Sequence, residues 1–251
     1  MRFPIFLFVL CMVSFSSWAQ TTNTPVEIKA NEALEWNSQQ QQYVARGNAS
    51  AVQEGSSITA DELVAEYKDM GNGKTEVSMM TATGNVVVTK DDMVGTSDRA
   101  VYDMGAQLIT MAGGDLRLTT KDKIITARDR FEYHMAQGLL KAIGNAVIVA
   151  GDKKLNADRV DAILDKNNQL QSAEAVGSVV ITTPKEQAKS SRATYDARTN
   201  IVQLFDNVVI TQGQNTITGS RAEVNLNTNI SRMFGNEKTG GRVKAVFFPK
   251  K

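Results

Sequence analysis

Residues 82–103 read ATGNVVVTKDDMVGTSDRAVYD, and residues 112–133 read AGGDLRLTTKDKIITARDRFEY. Each stretch is an alternating apolar–polar run, a polar turn and a second alternating run, the pattern of two strands with one buried face. The same phrase recurs along the chain. A Gly followed by Asn, Asp or Ser opens it at Gly47-Asn48, Gly84-Asn85, Gly114-Asp115, Gly144-Asn145 and Gly177-Ser178, with Asp206-Asn207 as a degenerate sixth copy; the spacings are 37, 30, 30, 33 and 29 residues. A second marker follows each: ADELVA from Ala60, SDRAVY from Ser97, RDRFEY from Arg128, ADRVDA from Ala157, SSRATY from Ser190 and GSRAEV from Gly219. ANEALEW from Ala30 fits the template ahead of the first Gly, so the array begins with a half-unit. Self-similarity at such a period marks a repeat architecture.

The columns of the repeat show which face turns inward. Two and four places after the Gly stand Ala49/Ala51, Val86/Val88, Leu116/Leu118, Ala146/Ile148, Val179/Ile181 and Val208/Ile210, all apolar. The place between them holds Arg117 in one copy and so tolerates charge. Two places before the Gly come Ala45, Ala82, Ala112, Ala142, Ala175 and Leu204, on the same parity. The buried face is therefore expected to run through the Gly, which reads as a bend or bulge inside a strand. In the second marker Ala100, Phe131, Val160, Ala193 and Ala222, with Tyr102, Tyr133, Ala162, Tyr195 and Val224 two places on, form the inward face.

Polar turns separate these strands at residues 90–92, 151–152, 166–168 and 212–213. No helix of three turns is expected after the N-terminal segment; Leu63 to Lys68 admits a helical reading, but its counterparts in other copies read as strand. The chain is expected to be all-β, an elongated solenoid-like sandwich of repeated antiparallel strands. Recurring Ala in one inward column, with few large aromatics, leaves two readings open: a tightly packed centre, or a slot between the faces.

The first nineteen residues carry one charge, Arg2, an apolar run from Phe3 to Phe15 and the ending Ser17-Trp18-Ala19. That is the layout of a secretory signal cleaved after Ala19, with a retained anchor as the alternative. Cys11 lies inside it, so the mature chain has neither a disulfide framework nor a thiol metal site. The remaining residues, 20–251, hold 27 Lys plus Arg against 27 Asp plus Glu, a balance that gives no electrostatic reason to expect nucleic acid. They are read as one domain of about six repeats, exported to the periplasm.

Thr83-Gly84-Asn85-Val86-Val87-Val88-Thr89, the SDRAVYD return and the ending Gly241-Arg242-Val243-Lys244-Ala245-Val246-Phe247-Phe248-Pro249 together resemble the LptA/OstA family of periplasmic lipopolysaccharide-transport proteins, over about Val26 to Pro249. The resemblance implies a twisted, open β-jellyroll whose apolar interior takes the acyl chains of lipid A. It also implies head-to-tail stacking between LptC-like partners anchored at the inner membrane and LptD-like partners at the outer membrane. VEIKAN matches the family's first groove strand, which puts Val26 and Ile28 at one mouth. The inward columns then supply the groove residues Val86, Val88, Tyr102, Leu116, Leu118, Phe131, Ile148, Val160, Ile181 and Ile210. Arg99 and Arg130 are candidates for head-group contact, and Val243, Ala245 and Phe247 for the assembly edge. The chain holds more repeat copies than short members of that family, which implies a longer trough.

Chemistry-bearing residues are sparse. His134 is the one histidine, so a catalytic triad or a His-rich metal site would rest on it alone. The pairs Asp98-Arg99, Asp129-Arg130 and Asp158-Arg159 read as cross-strand ion pairs that fix register, or as a ladder for phosphates. Asp91-Asp92 sits in a turn, and no GxxxxGK[ST] run is present. Neither catalysis, a cofactor nor a metal is expected. The rival readings are a polysaccharide-active β-helix enzyme and a purely structural scaffold with a solid core.

Overall fold

The computed structural model describes residues 26–53, 55–71, 75–90, 92–166, 169–228, 230–236 and 241–248. The expected leader with Cys11, as well as Asp91, Asn167, Asn168 and Pro249 to Lys251, lies outside the described residues.

The alternating runs become eighteen strands: β1 (Glu27–Lys29), β2 (Ala33–Asn37), β3 (Gln42–Gln53), β4 (Ser56–Asp69), β5 (Thr75–Lys90), β6 (Met93–Asp103), β7 (Leu108–Ala112), β8 (Arg117–Thr119), β9 (Lys123–Thr126), β10 (Arg130–His134), β11 (Leu139–Ala150), β12 (Lys153–Leu164), β13 (Leu170–Thr182), β14 (Gln187–Asp196), β15 (Ile201–Gln212), β16 (Asn215–Asn225), β17 (Ile230–Phe234) and β18 (Lys244–Val246). Among the described residues the helical element is one 3-10 turn, Met135–Gln137. Leu63 to Lys68 is strand, within β4.

All the pairings are antiparallel and follow the chain, as tight polar turns between strands dictate. β1 and β2 both pair with β3, and β7 and β8 both pair with β6. Likewise β9 and β10 both pair with β11, and β17 and β18 with β16. Each such pair is the two halves of one long strand broken at a corner. The fold is thus a meander of corner-bent strands with two arms. The first arm carries residues such as 42–46, 79–83 and 99–103; the second carries 49–53, 86–90 and 93–97. The arms face each other across the crease, forming an open β-jellyroll.

The corner arises where two residues of one strand oppose a single residue of the next. Register shifts fall between Arg46 and Ala49, Thr83 and Val86, Ile143 and Ala146, Val176 and Val179, and Phe205 and Val208. The two inserted residues both take positive φ, as in Gly84 at 77° and Asn85 at 47°. Gly and Asn adopt that region most cheaply, which explains the recurring dipeptide. Gly84 has a second constraint: a Cβ on it would collide with the Asp61 carboxylate on the neighbouring strand. The sixth copy tolerates Asp206 at 61° and Asn207 at 54° because the shorter Ser191 stands in that place, accepting the Asn207 amide at 3.3 Å.

Two expectations need correction. The buried face does not run through the Gly; the glycines turn toward the exposed acids Glu32, Asp61, Asp98, Asp129 and Asp158 on the outer side of the bend. An outer path around a corner is longer than the inner one, and the extra residue fills it. In the third copy Gly113, at φ 106°, takes the corner role ahead of Gly114. The added glycine shifts the count by one, so Met111 is buried in the inward column while Ala112 faces outward between Arg99 and Arg130.

Inward residues just past the corner are the best-buried column, with Ala49, Val86, Leu116, Ala146, Val179 and Val208 all at 4% exposure or less. Burying a Val or Leu side chain contributes about 1.5–3 kcal/mol each, so this row anchors the two arms to each other. From β13 onward Leu204, Val179, Val208 and Val224 are among the most fully buried side chains. One residue there breaks the pattern. Glu186 is 6% exposed, and neither carboxylate oxygen has a hydrogen-bond partner. Burial pushes its pKa up from the ordinary value, with nearby Lys185 opposing.

Replacing Gly84 by Ala should cost about 1–2 kcal/mol, read as a lowered urea midpoint at unchanged slope. Asp206→Gly should stay within about 0.5 kcal/mol of the parent. For Glu186 the folded state holds its proton more tightly than the unfolded chain, so its contribution to stability falls as pH rises from the ordinary Glu pKa through the raised one. Glu186→Gln should therefore raise the urea midpoint at pH 8 and change it little at pH 4.

Candidate functional site: an apolar trough between the arms

The arms of the N-terminal half do not close on each other. Between them lies a cavity of about 1100 Å³ whose lining runs from Val26 to Lys166. The second arm contributes Val88, Met93, Leu118, Ile125 and Ile148, and the first arm Tyr102, Met111, Phe131, Tyr133 and Val160. Strand alternation puts these side chains on one face, and the corner turns that face onto itself. Five of the chain's ten methionines, Met80, Met93, Met104, Met111 and Met135, line the space. Their flexible thioethers adapt to irregular apolar occupants.

The N-terminal end is open. Leu34 is 64% and Trp36 69% exposed although both lie on the inward face of β2. Trp36 stacks on Tyr43 at 6.3 Å between ring centres and donates its indole N–H to the Tyr67 hydroxyl at 2.7 Å. Tyr43 in turn packs on Tyr67 at 5.0 Å, so the mouth carries an aromatic cluster with one apolar side and one wet side.

The inward residues named from sequence fall into three groups. Val26, Ile28, Val88, Tyr102, Leu118, Phe131, Ile148 and Val160 line the cavity. Val86 and Leu116, at 1% and 4% exposure, are packed into the corner behind it. Ile181 and Ile210 belong to the C-terminal half, beyond the lining of this cavity: Ile210 is 6% exposed and Ile181 packs against the core. Of the two readings left open by the small-residue column, a slot lies between the arms of the N-terminal half, with its lining ending at Lys166. The mouth residues Leu34 and Tyr43 and the five methionines were not anticipated, although the parity of Leu34 and Trp36 in the opening half-unit marks them as inward.

Arg99 and Arg130 stand on the outer face, because the alternation that turns Ala100 and Phe131 inward turns them out. They belong to a transverse row running Arg99, Ala112, Arg130, Ile143, Arg159, Val176, Arg192, Phe205, Arg221 and Phe234. Every second strand offers an arginine, and the residues between are apolar. Arg192 lies over the Phe205 ring at 4.2 Å and Arg221 over Phe234 at 4.1 Å. The Asp-Arg dipeptides do not pair as expected. Arg130 binds Glu132 at 2.5 Å and Arg159 binds Asp161 at 3.1 Å along their own strands, while Arg192 reaches Glu174 at 2.9 Å across strands. The aspartates serve the corner instead: Asp98 accepts the Gly114 N–H at 2.6 Å, and Asp61 accepts the Asn85 amide.

Electrostatics add no catalytic set. Burial works to raise the Glu132 pKa, but hydrogen bonds from Arg130 and His134 hold the carboxyl below its ordinary value. His134 sits with its Nε2 3.0 Å from the Glu132 carboxylate. Burial raises Tyr102, Tyr133 and Tyr195, so these phenols stay neutral inside. Among the described residues, no group of three or more His, Cys, Asp or Glu gathers closely enough to hold a metal ion. Val243, Ala245 and Phe247 lie on or beside β18, which pairs with Thr216–Thr218 of β16; Val243 is 42% and Phe247 52% exposed.

Residues 27–139, and again residues 125–230, match the family described as LptA/(LptD N-terminal domain) LPS transport protein. A similar solved structure is that of LptH, the LptA homologous periplasmic component of the conserved lipopolysaccharide transport device from Pseudomonas aeruginosa. It shares 21% identity, covers 51% of this chain and 95% of its own, and superposes with a TM-score of 0.45. No curated protein matches. Two overlapping stretches spanning most of the described sheet carry the family pattern, and the chain belongs to the LptA/LptD N-terminal domain family of LPS transport proteins.

Proposed function

We propose that the protein is a periplasmic lipopolysaccharide-binding bridge that shields lipid A acyl chains in its trough on the way from inner to outer membrane. The observation that carries this reading is the apolar cavity of about 1100 Å³, open at the Trp36 end, in a member of a lipopolysaccharide-transport family. Each buried CH₂ contributes about 0.8 kcal/mol, so hydrocarbon tails bind there without special chemistry. The protein acts as a passive conduit, and release is handover to another groove. This reading assigns it a transport rather than a catalytic role, in keeping with its family of transport proteins.

In this reading residues 20–251 work as one unit after export with the leader removed. The exposed β18 segment with Val243, Ala245 and Phe247 supplies an edge for head-to-tail self-association or for LptD-like partners, and the Val26 end meets LptC-like partners. The solid packing of β13–β16 favours a second reading, a structural scaffold, for that half of the chain.

A photo-crosslinker at Val88 or Leu118 should capture lipopolysaccharide in living cells, while one at the outward Arg117 should not; equal labelling at all three would refute the trough reading. Deleting Val243 to Lys251 should shift sedimentation from assemblies toward monomers, and an unchanged profile would remove the proposed edge.

A further inference from the structure

The trough has two unlike lips. Along the free edge of the second arm the register sets Ser56 opposite Lys90 and Lys90 opposite Met93; further on it sets Lys123 opposite Ala150 and Ala150 opposite Lys153. The pairing of Val94 with Thr119 and the 2.8 Å hydrogen bond from the Thr120 N–H to the Lys123 carbonyl join the two segments into one row. Directly opposed residues share a face. That face is the inner one, since Val88, Ile125 and Leu155 stand two residues further along the same strands and pack against the core. With strands about 4.8 Å apart, Lys123 is roughly 14 Å from Lys90 and roughly 10 Å from Lys153 along the lip.

Lys90 lines the cavity directly. The Lys123 side chain is 3% exposed, with its ammonium 2.6 Å from the open Asp122 carboxylate, whose pKa that hydrogen bond lowers. Lys153 is half-buried at the same level. The first arm offers no matching row. It brings tyrosines, methionines and the charges Glu132, Lys141, Asp165 and Lys166, two of each sign. Past Lys153 the row continues through Thr183 to Glu186, where the sign reverses and the cavity has already closed.

Taking the trough as a site for acyl chains, as proposed above, we infer that this lysine lip is a phosphate-binding subsite. An amphiphile with its tails between the arms lies with its phosphorylated head group against Lys90 and Lys153, over the field of Lys123. The asymmetry of the lips sets the orientation: head toward the second arm, tails toward the methionines and tyrosines of the first. Arg99 and Arg130, on the outer face, take no part.

The test uses the full mature chain and two probes with identical acyl chains, bisphosphorylated lipid A and its dephosphorylated counterpart, in equilibrium displacement of a fluorescent lipid. The parent should prefer the phosphorylated probe by about tenfold or more, as charge-assisted hydrogen bonds provide, and the preference should shrink with salt. The double variant Lys90→Gln, Lys153→Gln should lose the preference while binding the dephosphorylated probe as the parent does. The Lys90→Arg, Lys153→Arg variant should keep it, as should Arg99→Gln. Equal binding of both probes by the parent, or an undiminished preference in the glutamine variant, overturns the lip assignment and leaves the trough standing. Binding of neither probe by a parent with an intact melting transition overturns both.

Discussion

The two-against-one mismatch at each corner is the constraint from which the architecture follows. A pair such as Gly84-Asn85, held at positive φ and facing the single residue Asp61, lengthens the outer path of the strand and folds the sheet across its own width. Repeated in every copy and aligned from strand to strand, the corners stack into a continuous crease. The crease turns one alternating face into two facing walls. Without it the same side chains would line an open flat sheet with nothing opposite them.

What fills the space between the walls differs along the crease. In the C-terminal half Leu204 and Val224 on the first arm and Val208 on the second are almost fully buried. In the N-terminal half the walls stand apart and carry methionine, tyrosine and phenylalanine side chains around an apolar space. The buried, partnerless Glu186 lies on the closed side of this divide. Its charge makes the closed packing less favourable there than an apolar residue would.

The family pattern matches twice, with an overlap at residues 125–139, and the sheet passes through that overlap without a break in pairing. The two matched stretches are joined by hydrogen-bonded strands within one sheet. The outer arginine row runs across the same junction, from Arg130 to Arg159, and further along it the cross-strand contacts of Arg192 with Glu174 and Phe205, and of Arg221 with Phe234, reinforce register on the face away from the interior.

The repeat in the amino-acid sequence was enough to establish the strand class, the bend at each Gly-Asn pair and the inward columns, because backbone alternation and the cost of positive φ are local properties. Val88, Leu118, Ile148 and Val160 were legible as inward for that reason. Local rules could not tell that Met111 replaces Ala112 in the third copy, since a doubled glycine can add its residue on either side of the corner. Nor could they separate Val86, sealed in the crease, from Val88, bordering open space. Arg99 and Arg130, next to the inward Ala100 and Phe131, were legible as outward by the same alternation. Whether two inward walls touch or stand apart depends on the distance between arms that are remote in sequence, and only the tertiary structure decides it: the same alternating pattern lines the cavity from Val26 to Lys166 and supplies none of its lining from β13 onward.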